Sequence, residues 1–298
     1  MSRFLTILFA LGAALAQNNP PALPYKVVPA WPELPTGWNF METPGVSVDA
    51  RGHVYVITRA AHPVREFDSD GKFIRSFGDG LYERAHAVRV DPEGYIWTVD
   101  DGGHTVLKLD SAGRVQMVLG RFKSSGETQT LFDRPTDVAW GPNGDIYVTD
   151  GYGNSRVVKF NKEGRFLKAW GKKGKGESEF VIPHSIAIDR QGRVYVADRE
   201  NYRIQVFDAE GTFLRQWTHV GSPWGLALTP DGYLYMADGY NGRVQKLNLE
   251  GQVLGSFGSY GKLPGQFQYV HHLAVGPGEV IYTAEILNWR PQKFVPAR

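Results

Sequence analysis

The sequence contains no cysteine among its 298 residues. A chain without thiols forms no disulfide and offers no thiolate as a metal ligand or a nucleophile. Any transition-metal site must therefore use histidine nitrogens and oxygen atoms. The chain also lacks an excess of charge of one sign, because 33 basic residues nearly balance 31 acidic ones and leave a net charge of +2. This balance gives no support for nucleic acid or an anionic membrane surface as a partner.

Long hydrophobic runs are missing as well. The apolar run Phe4–Ala13 is too short to span a bilayer, and no later segment is long and apolar enough to do so. Arg3 before the run and Ala14-Leu15-Ala16 after it are typical of a secretory signal peptide. We therefore predict a signal peptide over residues 1–16, cleaved after Ala16, and a secreted or periplasmic protein; the alternative is a buried first helix.

What the sequence does contain is a repeat. Each unit has two apolar alternating strands joined by a glycine-bearing turn, and two further strands follow. The ends of the first strands fall at positions 49, 91, 141, 189, 229 and 276, which are 40 to 50 residues apart. Four strands per unit at this period predict an all-β fold, a six-bladed β-propeller of four-stranded antiparallel blades over residues 44–298.

The two ends of the chain are predicted to close the ring together. The sixth unit has no outer strand of its own after Phe294. The N-terminal segment 17–43 contains the strand-like stretch Tyr25–Val28, which can supply the missing strand. The alternative is a ring of five blades with a capping hairpin.

Three histidines occupy the same position in alternate units: His86, His184 and His271. In a closed ring of six, alternate units lie about 120° apart, so three imidazoles can point at one axis. Three nitrogen ligands with an open fourth position are the arrangement of catalytic zinc, and imidazole suits zinc and similar divalent ions. The alternative is a polar lining of the channel.

Residues that follow the second strand of each unit must lie at the same edge as the histidines, because those two strands are antiparallel. Arg59 and Arg199 take equivalent places in opposite blades, and a carboxylate substrate fits two guanidinium groups beside a metal. Tyr152 lies at this edge too and is a candidate general acid or base. For the two arginines, the alternative is ion pairing with surface acids such as Glu66 or Glu200. For Tyr152, the alternative is an aromatic residue of the channel rim without a catalytic role.

Three stretches carry a more specific pattern: Phe132–Phe160, which contains DGYGNSR; Ile182–Phe207, which contains PHSIAID and ADREN; and the weaker Ala85–Leu109. Together they resemble NHL-repeat propellers and, among these, the peptidyl-α-hydroxyglycine α-amidating lyases. The resemblance implies cleavage of the N–C bond of an α-hydroxyglycine unit, which gives an amide and glyoxylate.

The resemblance also implies roles for individual residues. The zinc ligands of that family fall on His86, His184 and His271. Its catalytic tyrosine falls on Tyr152, and its two active-site arginines fall on Arg59 and Arg199.

A structural calcium ion is implied in the same way, held by the backbone carbonyls of Val46 and Val88 and by an aspartate directly after the third histidine. In this chain that residue is His272, so one of the expected calcium ligands is missing.

Two other functions stay open at this point. A non-catalytic NHL propeller would act as a binding module, but it has no reason to place three histidines on one axis. A lactonase-type hydrolase would hold its metal with channel carboxylates and amides, whereas here Asp137 is the only acid beside the channel positions. We expect a monomer that acts on a small carboxylate-bearing or peptidyl substrate, with no membrane span.

Overall fold

The alternating apolar and β-branched residues of the repeats form strands throughout the computed structural model, which describes residues 20–297. The predicted signal peptide, residues 1–16, lies outside the described residues. Six four-stranded antiparallel sheets follow one another around a ring. The predicted all-β, six-bladed β-propeller is therefore confirmed. No helix in the part of the chain that the structure describes is long and apolar enough to cross a membrane.

Strands are numbered along the chain, from β1 (Tyr25–Val27), and each blade runs from the channel outwards. The first blade contains β2 (Gly45–Val48), β3 (Val54–Ile57), β4 (Val64–Phe67) and β5 (Phe73–Phe77). The second contains β6 (Ala85–Val90), β7 (Ile96–Asp100), β8 (Thr105–Leu109) and β9 (Val115–Gly120). The third contains β10 (Pro135–Trp140), β11 (Ile146–Asp150), β12 (Arg156–Phe160) and β13 (Phe166–Trp170). A short parallel pair, β14 (Lys172–Lys173) and β15 (Glu179–Phe180), precedes the fourth blade.

The fourth blade contains β16 (Pro183–Ile188), β17 (Val194–Asp198), β18 (Arg203–Phe207) and β19 (Phe213–Trp217). The fifth contains β20 (Pro223–Leu228), β21 (Tyr233–Asp238), β22 (Arg243–Asn248) and β23 (Val253–Phe257). The sixth contains β26 (Val270–Gly276), β27 (Val280–Glu285) and β28 (Arg290–Pro296). A second short parallel pair, β24 (Ser259–Tyr260) and β25 (Gln266–Phe267), precedes the sixth blade. Two 3₁₀ turns lie at Arg199–Asn201 and Pro277–Glu279.

The N-terminal segment closes the ring. Strand β1 pairs antiparallel with β28, with Tyr25 opposite Pro296 and Val27 opposite Phe294. The Tyr25 ring packs 4.6 Å from the Phe257 ring of the fifth blade, and its hydroxyl lies 2.9 Å from that of Tyr235. Segments from near both ends of the chain thus share one sheet, and pairing with β1 covers the outer edge of β28.

The burial of the strands follows from face-to-face packing of the blades. The two strands nearest the channel are covered on both faces by neighbouring blades, so every residue of β11 and β17 is buried. The outer strands, such as β13 and β19, alternate between half-buried and exposed residues until the buried end of β19. The apolar core therefore lies between blades, and the channel is left for polar side chains.

A buried ion pair lies in the channel. Arg89 of the second blade donates from Nε to Oδ1 of Asp137 at 2.9 Å and from Nη2 to Oδ2 at 2.5 Å, across to the third blade. Asp137 is almost completely buried. Burial opposes its ionisation, but the neighbouring guanidinium of Arg89 holds the pKa of Asp137 well below its usual range. The pair is therefore charged, and its two ends tie adjacent blades together.

Further hydrogen bonds extend this pair to the rest of the ring. Ser185 of the fourth blade donates to Asp137 at 2.6 Å and accepts from the backbone N–H of Leu226 in the fifth. His272 of the sixth blade lies with Nε2 3.6 Å from Asp137, and its Nδ1 is 3.2 Å from the carbonyl oxygen of Val46 in the first. One polar cluster, called here the channel cluster (Arg89, Asp137, Ser185 and His272), thus contacts all six blades.

Loss of β1 should weaken ring closure. A chain that starts at residue 29 exposes the outer edge of β28 and loses the packing of Tyr25. We expect its melting temperature to fall by about 5–10 °C, which corresponds to a loss of a few kcal/mol in a domain of this size. A chain that starts at residue 20 is the matched control. Equal melting temperatures for the two chains would show that β1 contributes little to closure.

Removal of one charge from the channel cluster should lower the free energy of unfolding much more than removal of a surface charge. Asp137→Asn leaves the Arg89 guanidinium buried without its counter-ion, so the free energy of unfolding should fall by about 3–5 kcal/mol. The control is Glu163→Gln, which removes an exposed partner of Arg165 and should cost under about 1 kcal/mol. Denaturant unfolding measures both variants, and a similar small loss in each would contradict a tie between blades.

Candidate metal centre and active site

An irregularity in the inner strands positions the site. In five of the six blades the pairing between the first and second strands skips one residue directly after the first strand begins. Such a β-bulge takes a residue out of the ladder and redirects its side chain. In the first blade the equivalent residue, Pro44, precedes β2, and proline has no N–H to pair. The five bulged residues are His86, Thr136, His184, Trp224 and His271.

Three of these bulged residues meet on the axis. One ring nitrogen of each of His86, His184 and His271 lies within 4.8 Å of one ring nitrogen of the other two. Their ring centroids are 4.7 to 5.1 Å apart, and each residue is at most 2% exposed. The three histidines predicted from alternate repeats are therefore brought together, and they are called the histidine triad below.

The second nitrogen of each ring is held by the next blade. The Nδ1 atoms of His86, His184 and His271 lie 2.6, 2.5 and 2.6 Å from the carbonyl oxygens of Thr136, Trp224 and Pro44. A carbonyl only accepts, so each Nδ1 carries the hydrogen and each Nε2 keeps its lone pair. This arrangement of an N–H donated to a carbonyl is the usual support of a metal-binding histidine.

The electrostatic surroundings keep the triad neutral. Burial lowers the pKa of His86, His184 and His271 well below the usual value for histidine. The neighbouring histidines and the guanidinium groups of Arg59 and Arg199 lower these pKa values further. Three unprotonated imidazoles at neutral pH are the form in which histidine binds a metal ion.

Tyr152 lies directly against the triad. It follows β11, and its hydroxyl is 3.1 Å from Nε2 of His86 and 3.0 Å from Nε2 of His184. One phenolic hydrogen can serve only one of these two acceptors, so lone pairs outnumber hydrogens here. Burial raises the pKa of Tyr152, and Arg199, which donates from Nη1 to its hydroxyl at 3.3 Å, opposes that rise. The effect of burial is the larger, so the pKa of Tyr152 is raised and its phenol keeps the hydrogen at neutral pH.

The two predicted arginines flank the triad, and each already has an acidic partner. Arg199 donates from Nε to Glu200 at 2.8 Å, and Arg59 donates from Nη1 to Glu42 at 2.6 Å. The alternative of ion pairs with neighbouring acids thus holds for Arg199 with Glu200. Glu66, the other acid considered, binds Arg75 and His53 instead. Each arginine still has N–H groups beyond its ion pair, because a guanidinium has five.

Buried carboxylates hold the loops that carry these residues. Asp150, at the end of β11, accepts from the backbone N–H of Asp133 at 2.9 Å and from the Nε of Arg156 at 2.9 Å. Asp198, at the end of β17, accepts from Val181 and Arg203 in the same way. Tyr152 follows Asp150 by two residues and Arg199 follows Asp198 by one, so these carboxylates fix the rim at both positions.

The residues around Val46 and Val88 do not fit a calcium ion. The Val46 carbonyl is bound to His272, which is a nitrogen ligand in place of the expected aspartate. Arg89, one residue after Val88, brings a guanidinium into the channel cluster, where Asp137 already neutralises it. Calcium prefers six to eight oxygen ligands and several carboxylates. The channel cluster therefore replaces a cation site with an internal ion pair.

Sequence reasoning assigned no role to two residues of the channel. Trp224 occupies the triad position in the fifth blade, and its ring centroid lies 5.6 Å from those of both His184 and His271. The basic half of the channel cluster, Arg89, was also missed. The available signal was positional in each case, since alignment of the repeats places Trp224 level with the histidines and Arg89 three residues after His86.

A model of a protein family described as a 6-bladed β-propeller matches residues 127–254. The mouse peptidyl-glycine alpha-amidating monooxygenase is 43% identical over 110 residues, which are 35% of this chain and 11% of that protein. A probable peptidyl-alpha-hydroxyglycine alpha-amidating lyase of Caenorhabditis elegans is 44% identical over 99 residues, 32% of this chain and 28% of the relative. Human NHL repeat-containing protein 3 is 33% identical over 212 residues, 65% of this chain and 60% of the relative. The chain thus spans less than two thirds of each of these curated relatives.

Solved structures share the architecture at low sequence identity. A streptogramin B lyase superposes with a TM-score of 0.65 at 16% identity and covers 91% of this chain and 97% of that one. A gluconolactonase from Xanthomonas campestris has the same TM-score and identity and covers 87% of each chain. At these identities the likeness concerns the fold alone. The chain is thus a six-bladed β-propeller that is homologous over part of its length to NHL repeat proteins and to peptidyl-α-hydroxyglycine α-amidating lyases.

Proposed function

We propose that this protein is a metal-dependent carbon–nitrogen lyase that cleaves α-hydroxyglycine-type substrates, such as peptidyl-α-hydroxyglycine, into an amide and glyoxylate. The observation that carries the proposal is the contact of Tyr152 with two histidines of the triad and with Arg199. The similarity to amidating lyases over about a third of the chain supports it.

The triad fits a divalent transition metal such as zinc. Its three Nε2 lone pairs converge, their Nδ1 hydrogens are already bonded, and burial keeps the rings neutral. A structural zinc site is closed by four protein ligands, whereas three leave a position for substrate. Bound there, zinc would supply an electrophile that polarises an oxygen of the hydroxyglycine unit.

The arginines would hold the carboxylate of the substrate. Arg199 lies between Tyr152 and Trp224, with its guanidinium carbon 5.4 and 4.5 Å from the two ring centroids. This stacking fixes the plane of the guanidinium, which favours a bidentate bond to a carboxylate. Arg59 follows β3 of the first blade, across the ring from the fourth blade that carries Arg199, and its charge lowers the pKa values of His86 and His271.

Tyr152 would move the proton. In the reaction, the hydroxyl group on the α-carbon loses its proton, a C=O double bond forms, the C–N bond breaks, and the departing nitrogen gains a proton to become the amide. Tyr152, as tyrosinate, would accept the hydroxyl proton. Burial raises the pKa of Tyr152, and the positive charges of Arg199 and of a bound metal ion would oppose that rise and stabilise the anion. The same phenol can then return a proton to nitrogen, so the step needs no other acid or base.

The lactonase-type alternative is weaker because Asp137, the acid beside the channel positions, is bound to Arg89. The binding-module alternative leaves the neutral triad without a purpose. Export of the protein, a monomeric state and the identity of the metal stay predictions.

Metal content provides the first test. The purified protein should contain about one divalent transition metal ion per chain, and His184→Ala should lose it, because two imidazoles hold zinc far more weakly than three. The control is His219→Ala, which removes an exposed histidine bound to the carbonyl of Gly251, outside the triad. Elemental analysis and zinc titration measure both variants. A wild-type chain that neither carries nor binds metal would overturn the metal site.

Turnover provides the second test. Zinc-loaded protein should release glyoxylate from N-benzoyl-α-hydroxyglycine, and Tyr152→Phe should lower kcat by about 10²–10⁴-fold, the usual size of a general acid–base contribution. Tyr195→Phe, which also loses a buried hydroxyl but one bound to Asp189 within the fourth blade, is the control and should keep its turnover. The lyase proposal fails if metal-loaded protein releases no glyoxylate above background, and the role of Tyr152 fails if the two variants turn over equally.

A further inference from the structure

The rim of the site, which is the mouth of the channel beside the triad, carries different types of side chain on its two sides. On the side of the first three blades it carries ion pairs: Arg59–Glu42, Arg84–Asp101 and Lys123–Glu83. On the side of the last three blades four aromatic residues lie in one connected group. This group is called the aromatic wall and consists of Tyr202, Trp224, Tyr240 and Tyr269.

The aromatic wall begins at the triad and rises to the solvent. Trp224, 6% exposed, packs against His184 and His271. Tyr240 and Tyr269 lie 5.1 and 5.2 Å from the Trp224 ring and 5.7 Å from each other. Tyr202 lies 6.2 Å beyond Tyr240; Tyr240 is 37% and Tyr202 49% exposed. Apolar surface is therefore continuous from the reacting centre to the mouth.

Two polar groups of the wall are bound to neighbouring side chains. The Trp224 Nε1 donates to the Ser222 hydroxyl at 3.0 Å, and the Tyr240 hydroxyl donates to Glu200 at 3.1 Å. Glu200 also accepts from Arg199, so the wall is joined to the arginine that would hold the substrate carboxylate. Arg199 covers the Trp224 ring, so the exposed ring surfaces of Tyr240 and Tyr202 are left for an apolar group. A carboxylate beside them disfavours an acidic group.

We propose that the aromatic wall is the binding subsite for the acyl group of the substrate, and that it selects α-hydroxyglycine units acylated by an aromatic or large apolar group. This inference rests on the proposed function. With the carboxylate at the arginines and the reacting carbon at the triad, the acyl group has to leave towards the mouth. The other side of the rim carries the three ion pairs, whereas the wall offers a connected aromatic surface.

The test compares two substrates that differ only in the acyl group: N-benzoyl- and N-acetyl-α-hydroxyglycine. The wild-type, zinc-loaded protein should show a kcat/KM at least about tenfold higher for the benzoyl compound. This factor corresponds to the free energy gained when a phenyl ring is partly buried. Tyr240→Ala should reduce that ratio several-fold, and Tyr240→Phe should keep it, because the ring is retained while the bond to Glu200 is lost. Leu167→Ala, which removes an exposed apolar side chain from the outer strand β13, is the control for the ratio.

Two outcomes would overturn the subsite. One is a wild-type ratio near one. The other is an equal loss for both substrates in Tyr240→Ala and Tyr240→Phe, which would mean that Tyr240 only orients Arg199 through Glu200.

If wild-type protein cleaves neither compound, the lyase proposal has failed and the wall is still tested by binding. Calorimetry with the uncleavable N-benzoylglycine and N-acetylglycine should then show tighter binding of the benzoyl compound, and Tyr240→Ala should remove the difference. Equal affinities would overturn the subsite by themselves.

Discussion

The β-bulge at the start of the inner strands is the constraint on which the site depends. In five of the six blades it frees one residue from the ladder, turns its side chain into the channel and leaves its carbonyl available to a neighbouring blade. Histidines in alternate blades then donate to the carbonyls of the blades between them. The same local irregularity therefore supplies the ligands and the groups that orient them, and the closed ring holds both at the same depth.

The channel separates a neutral layer from a charged one. Around the triad, burial and neighbouring positive charges keep the imidazoles unprotonated, a state suited to a cation. In the channel cluster, Arg89 is itself the cation and Asp137 its counter-ion. This internal ion pair and its hydrogen bonds connect neighbouring blades, as a bound metal ion could, and they use only side chains of the protein. The charged layer thus ties the blades together, and the neutral layer is the one to which we assign the proposed chemistry.

The division of the rim gives the site a direction. Ion pairs on one side keep the long arginine side chains ordered near the triad. Aromatic rings on the other side pack edge to face and need no partner to stay ordered. Arg199 belongs to both sides, since it stacks on Trp224 and donates to Tyr152 and Glu200. A substrate with a charged end and an apolar end matches this arrangement.

The sequence by itself determined the number of blades, the alternation of strands and the three alternate histidines. These features recur every 40 to 50 residues and are found by aligning the chain with itself. It also indicated Tyr152, Arg59 and Arg199 as rim residues, since antiparallel pairing assigns each strand end to an edge. Only the tertiary structure decided which groups those side chains contact: Glu42 for Arg59, the triad for Tyr152, and Asp137 for Arg89 from a blade away. The aromatic wall likewise joins residues from three blades. Such contacts depend on the radius and closure of the ring and on which strand bulges, and no single repeat encodes these.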